Sequence, residues 1–199
     1  MLKVGITGNM GAGKSLVAEV FQTLRIPFFG ADEQAIWLTE NNPQVKSEIT
    51  SLFGRQAYTS EGKYNRKFIA EQIFTNPRLL EQLNAIIHPA VFQRFFDWAD
   101  EQDAPYVMKE AAILFESGAD KTCDKIVFVS APEEIRTDRV KKRNPAWSEA
   151  DIKRRMQTQQ PEEAKILKSD YVINNDGEQF LLPQILDIHK RLLEEANRH

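Results

Sequence analysis

Apolar residues in this chain fall into five short runs of four to six residues, separated by longer stretches with helical periodicity. Leu2-Lys3-Val4-Gly5-Ile6-Thr7 reads as a buried strand, and beyond a glycine-rich stretch Leu16-Val17-Ala18-Glu19-Val20-Phe21 has helical apolar spacing. Ile26-Pro27-Phe28-Phe29 predicts a second strand ending at Gly30-Ala31-Asp32, and Glu33 to Leu38 resumes the helical pattern. The order strand, helix, strand, helix points to a parallel sheet. From Pro43 to about Gln102 strand signals vanish and helical stretches are punctuated by Gly54, Gly62, Asn76-Pro77 and His88-Pro89. Tyr106-Val107-Met108-Lys109, Lys125-Ile126-Val127-Phe128-Val129 and Tyr171-Val172-Ile173-Asn174 complete a set of five strands.

Two further signals mark helices. Ser148-Glu149-Ala150-Asp151 has the capping-box pattern, with a hydroxyl and a carboxylate able to satisfy free N–H groups where a helix starts. The tail from Gln179 to Asn197 sets Phe180, Leu181, Ile185, Ile188 and Leu192 on one stripe, which predicts a closing helix packed on the sheet.

At 199 residues, with 42% hydrophobic and 28% charged positions, the composition fits one compact soluble domain carrying an insertion. No apolar run nears the roughly 20 residues that cross a bilayer, and no cleavable leader pattern precedes the first strand. The expectation is a cytoplasmic protein with no membrane partner. A net charge of −3 argues against a general nucleic-acid partner, although Lys141-Lys142-Arg143 and Lys153-Arg154-Arg155 can meet phosphates locally. Cys123 is the only cysteine, which excludes an internal disulfide and leaves it as plain packing.

The stretch between the first strand and the first helix is Gly8-Asn9-Met10-Gly11-Ala12-Gly13-Lys14-Ser15, which matches G-x-x-x-x-G-K-[ST] in its required context. Glycines let successive N–H groups curl toward one anion, and the helix start adds its positive dipole end. A nucleoside triphosphate is the natural guest: Lys14 meets the β- and γ-phosphates, and the Ser15 hydroxyl completes a Mg²⁺ shell. Gly11, Ala12, Gly13 and Leu16 form the rest of the cradle. Such a loop serves kinases, GTPases and motors alike. The chain contains no N-K-x-D sequence for reading guanine, and no apolar strand ends in an Asp-Glu pair, which favours a small-molecule kinase using ATP and Mg²⁺. The predicted fold is thus α/β, the three-layer P-loop NTPase type with a five-stranded parallel sheet.

Joined to Asp32, His88-Pro89, Leu114-Phe115-Glu116, Arg139 with Arg143, Arg155 with Gln159, and Asn175 with Gly177, this loop makes the chain resemble the dephospho-CoA kinase family over nearly its whole length. The resemblance implies an ATP-dependent phosphorylation of the ribose 3′-hydroxyl of dephospho-CoA. It also implies a core of residues 1–40, 104–135 and 168–199, a helical acceptor-binding insertion of about 41–103 and a lid of about 136–167. The expected state is a monomer, with a weak homo-oligomer as the alternative.

Asp32 aligns with the second acid of the family's Asp-Ala-Asp element. It reads as acceptor of the hydroxyl proton, as a Mg²⁺ ligand through water, or as a helix cap. Gly62-Lys63-Tyr64-Asn65-Arg66 resembles the acceptor-side stretch, with Arg66 offering a fork to a substrate phosphate. His88, from its place before Pro89, reads as a contact to the acceptor nucleotide or as a structural residue opening a helix. Phe115 reads as a wall of the site or as core, and Glu116 as a second substrate contact. Arg136, Arg139, Lys142 and Arg143 recur at helical spacing and read either as a cationic lid face closing on the triphosphate or as solvated surface. Arg155 and Gln159 follow as the lid's second helix, and Asn175 sits where a loop reaches adenine or simply turns. Three positions depart from the family pattern. Gly30 replaces the first acid of Asp-Ala-Asp, Ala111-Ala112-Ile113 replaces a proline-leucine pair, and Leu16 stands where threonine is usual. A nucleotide-monophosphate kinase and a slow ATP-dependent switch are the competing functions; several arginines in cis weigh against the switch.

Overall fold

The structure is a computed structural model in which residues 1–198 are described. Along the chain run β1 (Leu2–Thr7), α1 (Lys14–Thr23), β2 (Phe28–Gly30), α2 (Ala31–Asn41), α3 (Pro43–Phe53), α4 (Arg66–Phe74) and α5 (Pro77–Asp100). They are followed by β3 (Tyr106–Glu110), β4 (Lys125–Ser130), α6 (Glu133–Arg143), α7 (Glu149–Met156), α8 (Glu162–Ile166), β5 (Tyr171–Asn174) and α9 (Leu181–Ala196). Among the described residues no helix is long and apolar enough to cross a membrane.

All strand pairs are parallel, and the order is β2-β3-β1-β4-β5. The three central strands are buried at nearly every position rather than at alternate ones, as a parallel sheet covered on both faces demands. On one face Val4, Ile6, Tyr106, Met108, Val127 and Val129 pack against Val17 and Phe21 of α1 and Ile185, Ile188 and Leu192 of α9. On the other face Gly5 leaves room for the Leu114 side chain and the Cys123 thiol, which a Cβ would meet at 2.9 and 3.0 Å. The strand order turns about β1, which has β3 on one side and β4 on the other. In open parallel sheets ligands gather at the carboxyl end of such a switch point, and here that is where the glycine-rich loop leaves the sheet.

The chain divides into two compact units, Met1–Gly30 with the chain from Glu101 onward, and Ala31–Asp100. The helical unit starts at Ala31, where the sequence reading drew it near 41, because α2 packs on α3 and α5. Its core is Val45, Ile49, Ala57, Ile69 and Leu83. Asn42 caps α3 by accepting from the N–H groups of Gln44 and Val45, with Pro43 in the first turn, and Asn65 caps α4 by accepting from Phe68. His88-Pro89 does not end a helix: α5 runs through it, so His88 lies mid-helix rather than opening one. The ring of Pro89 removes only one backbone donor from a helix of 24 residues.

The closing helix is as predicted except at Phe180, which is 85% exposed and lies just before the first turn, off the buried stripe. The Ser148 capping box is present with both of its hydrogen bonds. Where α9 meets β3, the buried Tyr106 hydroxyl and His189 Nδ1 share a hydrogen bond of 2.6 Å. Burial pushes the His189 ring below its ordinary value of 6.5, so the unfolded chain takes up the proton first. The resulting stability is complete above pH 6.5 and declines as pH falls below it. Urea unfolding from pH 8 to 5 is expected to show this decline, and His189→Gln is expected to flatten its onset.

Candidate active site

The loop after β1 is shaped by what surrounds it. Gly8 passes so close to β4 that a Cβ would collide with the Val129 carbonyl oxygen. Gly11 and Gly13 have φ of 83° and 94°, the left-handed region, and a Cβ on Gly11 would lie 2.5 Å from the Arg136 carbonyl oxygen. The Ala12 N–H donates to the Asn9 carbonyl at 3.0 Å and closes the turn. α1 starts at Lys14 with no side-chain cap and no acidic residue in its first turn. Its leading N–H groups and positive dipole end are therefore presented to an anion. Lys14 folds back over the loop and donates to the Gly8 carbonyl at 3.0 Å, while the next residue, Ser15, is exposed.

Two residues predicted for this site brace the loop from behind. Asn175, just past β5 and buried, donates from Nδ2 to the Ala12 carbonyl at 2.7 Å. Arg139 of α6 spreads its guanidinium over the same carbonyl at 3.4 Å and over the Asn175 backbone and side-chain oxygens, both at 3.1 Å. A Cβ on Gly13 would fall on the Asn175 amide, so the loop and this brace are fitted to each other.

The other cations of α6 differ in burial and in partners. Arg136 is buried, donating from Nε to the Ala131 carbonyl at 2.9 Å and lying 3.8 Å from Glu162, so it is structural rather than part of a lid surface. Lys142 is exposed and pairs with Asp138, and Arg143 is exposed in the last turn, where cations suit the helix dipole. Arg155, in the last turn of α7, stacks 4.2 Å from the Trp147 ring centroid. Gln159 reaches the loop itself, its Oε1 accepting from the Met10 N–H at 2.7 Å.

After β3, Phe115 lies under the Lys168 ammonium at 5.8 Å. Glu116 forms an ion pair of 2.6 Å with Lys165, a residue the sequence reading passed over. Glu110, also not singled out, ends β3 in register with Gly30 and Ile6 and is the carboxylate beside the departure at Gly30. The available signal was its place at the end of an apolar strand.

In the helical unit Asp32 is exposed and sits, with Glu33, in the first turn of α2, two residues beyond the end of β2. It lies inside the helix rather than capping it. Arg66 is exposed as the first residue of α4, immediately after the Asn65 cap. His88 is half-buried, stacks on Phe92 at 6.2 Å, and is pushed below its ordinary pKa by burial.

A five-stranded parallel sheet with flanking helices and a glycine-rich phosphate loop at its switch point defines a P-loop nucleotide-binding protein. The sequence profile described as dephospho-CoA kinase matches residues 2–180. A dephospho-CoA kinase of Porphyromonas gingivalis is 37% identical over 189 residues, spanning 94% of this chain and 93% of its own length. One from Chlorobaculum tepidum is 38% identical over 200 residues, spanning 96% and 95%. A solved structure from Thermus thermophilus has a TM-score of 0.82 at 30% identity and covers 98% of this chain and 97% of its own. A dephospho-CoA kinase from Campylobacter jejuni shares the fold, with a TM-score of 0.70 at 23% identity and coverage of 97% and 98%. The chain belongs to the dephospho-CoA kinase family.

Proposed function

We propose that this chain transfers the γ-phosphoryl group of ATP to the ribose 3′-hydroxyl of dephospho-CoA, giving CoA and ADP, the last step of coenzyme A biosynthesis. The observation that carries the reading is the family match across residues 2–180. The phosphate loop described above supplies the chemistry that such a transfer needs, since phosphoryl transfer rests on positioning and on neutralising charge.

In this reading the N–H groups of Gly11, Ala12, Gly13, Lys14, Ser15 and Leu16 cradle the β-phosphate. Lys14 exchanges the Gly8 carbonyl for the β- and γ-oxygens. Arg139 and Asn175 keep the Ala12 carbonyl turned away from the phosphates, and Arg143 adds positive charge. Arg66, His88, Phe115 and Arg155 serve the acceptor. Asp32 takes the proton of the attacking 3′-hydroxyl as the new P–O bond forms and ADP departs with the electrons of the old one.

The donor set fits Mg²⁺. Among the described residues no cluster of three or more His, Cys, Asp or Glu could hold a metal alone, while Ser15 offers an exposed hydroxyl beside the phosphate cradle. Mg²⁺ retains water and phosphate oxygens and needs only one or two protein ligands. Ser15, with Asp32 through water, would hold it, and when bound it would neutralise negative charge on the phosphates. We place this activity in the cytoplasm, carried by a monomer or a weakly self-associating chain.

The experiment is ADP formation from Mg-ATP with dephospho-CoA, AMP, CMP, adenosine or no acceptor. Stimulation by dephospho-CoA alone, with CoA as product, is expected. Stimulation by a nucleoside monophosphate instead would make this a nucleotide kinase, and acceptor-independent hydrolysis would favour a switch.

A further inference from the structure

Lys165 in α8 is wholly buried, with 0% of its side chain exposed. Its ammonium has two partners: Glu116 Oε1 at 2.6 Å and the side-chain oxygen of Asn9 at 3.0 Å. Taking an ammonium out of water is costly, and a buried ion pair is commonly no better for stability than apolar residues of the same volume. An apolar residue at 165 could fill the space but could not hold Asn9. That second partner is where the consequence lies.

Asn9 is the second residue of the phosphate loop and is itself buried, at 5% exposure. An ammonium only donates, so the Asn9 amide must turn its oxygen toward Lys165. The Asn9 backbone carbonyl in turn accepts the Ala12 N–H, the bond that closes the loop. The next loop residue, Met10, is fixed by Gln159, and the neighbouring Gln160 N–H donates to Glu116 Oε1 at 3.2 Å. Residues 159–165 thus hold two successive loop residues and the Glu116 carboxylate together. Burial alone would push the Glu116 carboxyl upward, but hydrogen bonds from Lys165, its own N–H and Gln160 outweigh that and hold it below the usual range.

We propose that Lys165, acting through Asn9 and with Glu116 as its counter-charge, is a positioning residue that sets the outer limb of the phosphate loop for the triphosphate. The inference rests on the reading of that loop as the ATP site. It gives Glu116 a role behind the loop in place of a contact to the acceptor.

The test replaces both charges at once, Lys165→Met with Glu116→Gln, so that no lone buried charge is created. Binding of a non-hydrolysable ATP analogue and both KM values are read by titration, alongside thermal unfolding. The expected result is about tenfold weaker analogue binding and a matching rise in KM for ATP, the scale of one lost hydrogen bond to a charged group. KM for dephospho-CoA should change less than about twofold, because the loop's partner is the phosphate end of ATP. Lys165→Arg alone should recover most of the affinity. Adding Asn9→Ala to the paired variant should weaken binding no further than Asn9→Ala alone, because residues acting in one chain are not additive.

Unchanged ATP affinity in the folded paired variant overturns the inference. So does an equal rise in both KM values with a large fall in melting temperature, which is the signature of general loosening. If the paired variant does not fold, Asn9→Ala decides: wild-type affinity there overturns the inference, and a selective loss for ATP supports it. An unmodified protein that binds no ATP analogue would overturn both this inference and the function proposed above, whereas normal wild-type binding with unaltered variants overturns only this one.

Discussion

Lys14→Ala is expected to lower kcat/KM for ATP by about 10²–10³-fold, the scale on which a single preorganised charge aimed at a transition state acts. Lys14 is the first residue of α1, a helix start with neither a side-chain cap nor an acid to compete for its N–H groups. The ammonium is the one full charge that the loop itself adds to those partial ones. In the structure it donates to the Gly8 carbonyl at 3.0 Å. Loss of one such bond costs about 1 kcal/mol, equivalent to about 2–4 °C in melting temperature for a chain of this size. A large loss of rate with so small a shift in melting would separate a role in the reaction from a role in the fold. Lys14→Arg should not rescue the rate, because a planar fork does not replace a compact point charge inside a tight loop. A variant that kept the unmodified kcat/KM would show that Lys14 does not meet the phosphates.

The phosphate loop was legible because its geometry follows from local residue types. Gly11 and Gly13 occupy backbone conformations that few other residues tolerate, and the lysine and serine follow at the helix start. Strands were legible for a related reason: a strand buried on both faces is a continuous apolar run, and β1, β3 and β4 are such runs. The order of the strands was not legible, since β1 pairs with residues about a hundred positions away and no local pattern encodes that choice.

Helical periodicity told which cations share a helix but not which of its sides is covered. Arg136 and Arg139 both lie on α6, yet Arg136 is buried against Ala131 and Glu162 while Arg139 reaches the phosphate loop. Lys165 had no signal at all. A lysine in a short charged helix reads as solvated, and its burial is fixed by Asn9, which lies 156 positions earlier. His88-Pro89 misled in the opposite direction, since proline is strong local punctuation but the packing of α5 overrides it.

Asp32→Asn is expected to reduce kcat by about 10²–10⁴-fold, the usual contribution of a positioned proton acceptor, with KM for ATP changed less than about twofold. Asparagine keeps the shape of the side chain and its capacity to hydrogen-bond, and loses only the ability to take a proton and the negative charge. The position suits either use of that charge. Asp32 is exposed in the first turn of α2, beside Glu33 and two residues beyond the end of β2, and Gly30 leaves it as the only carboxylate of its pair. Activity measured against Mg²⁺ concentration separates the two uses. A proton acceptor that is missing cannot be replaced by more metal, so the low kcat should persist at saturating Mg²⁺. Partial recovery as Mg²⁺ rises would instead assign Asp32 to the metal's water shell, because a weakened metal site is refilled by mass action. Full turnover at ordinary Mg²⁺ would remove Asp32 from the reaction and leave Glu110, at the carboxyl end of β3 in register with Gly30, as the carboxylate to test next.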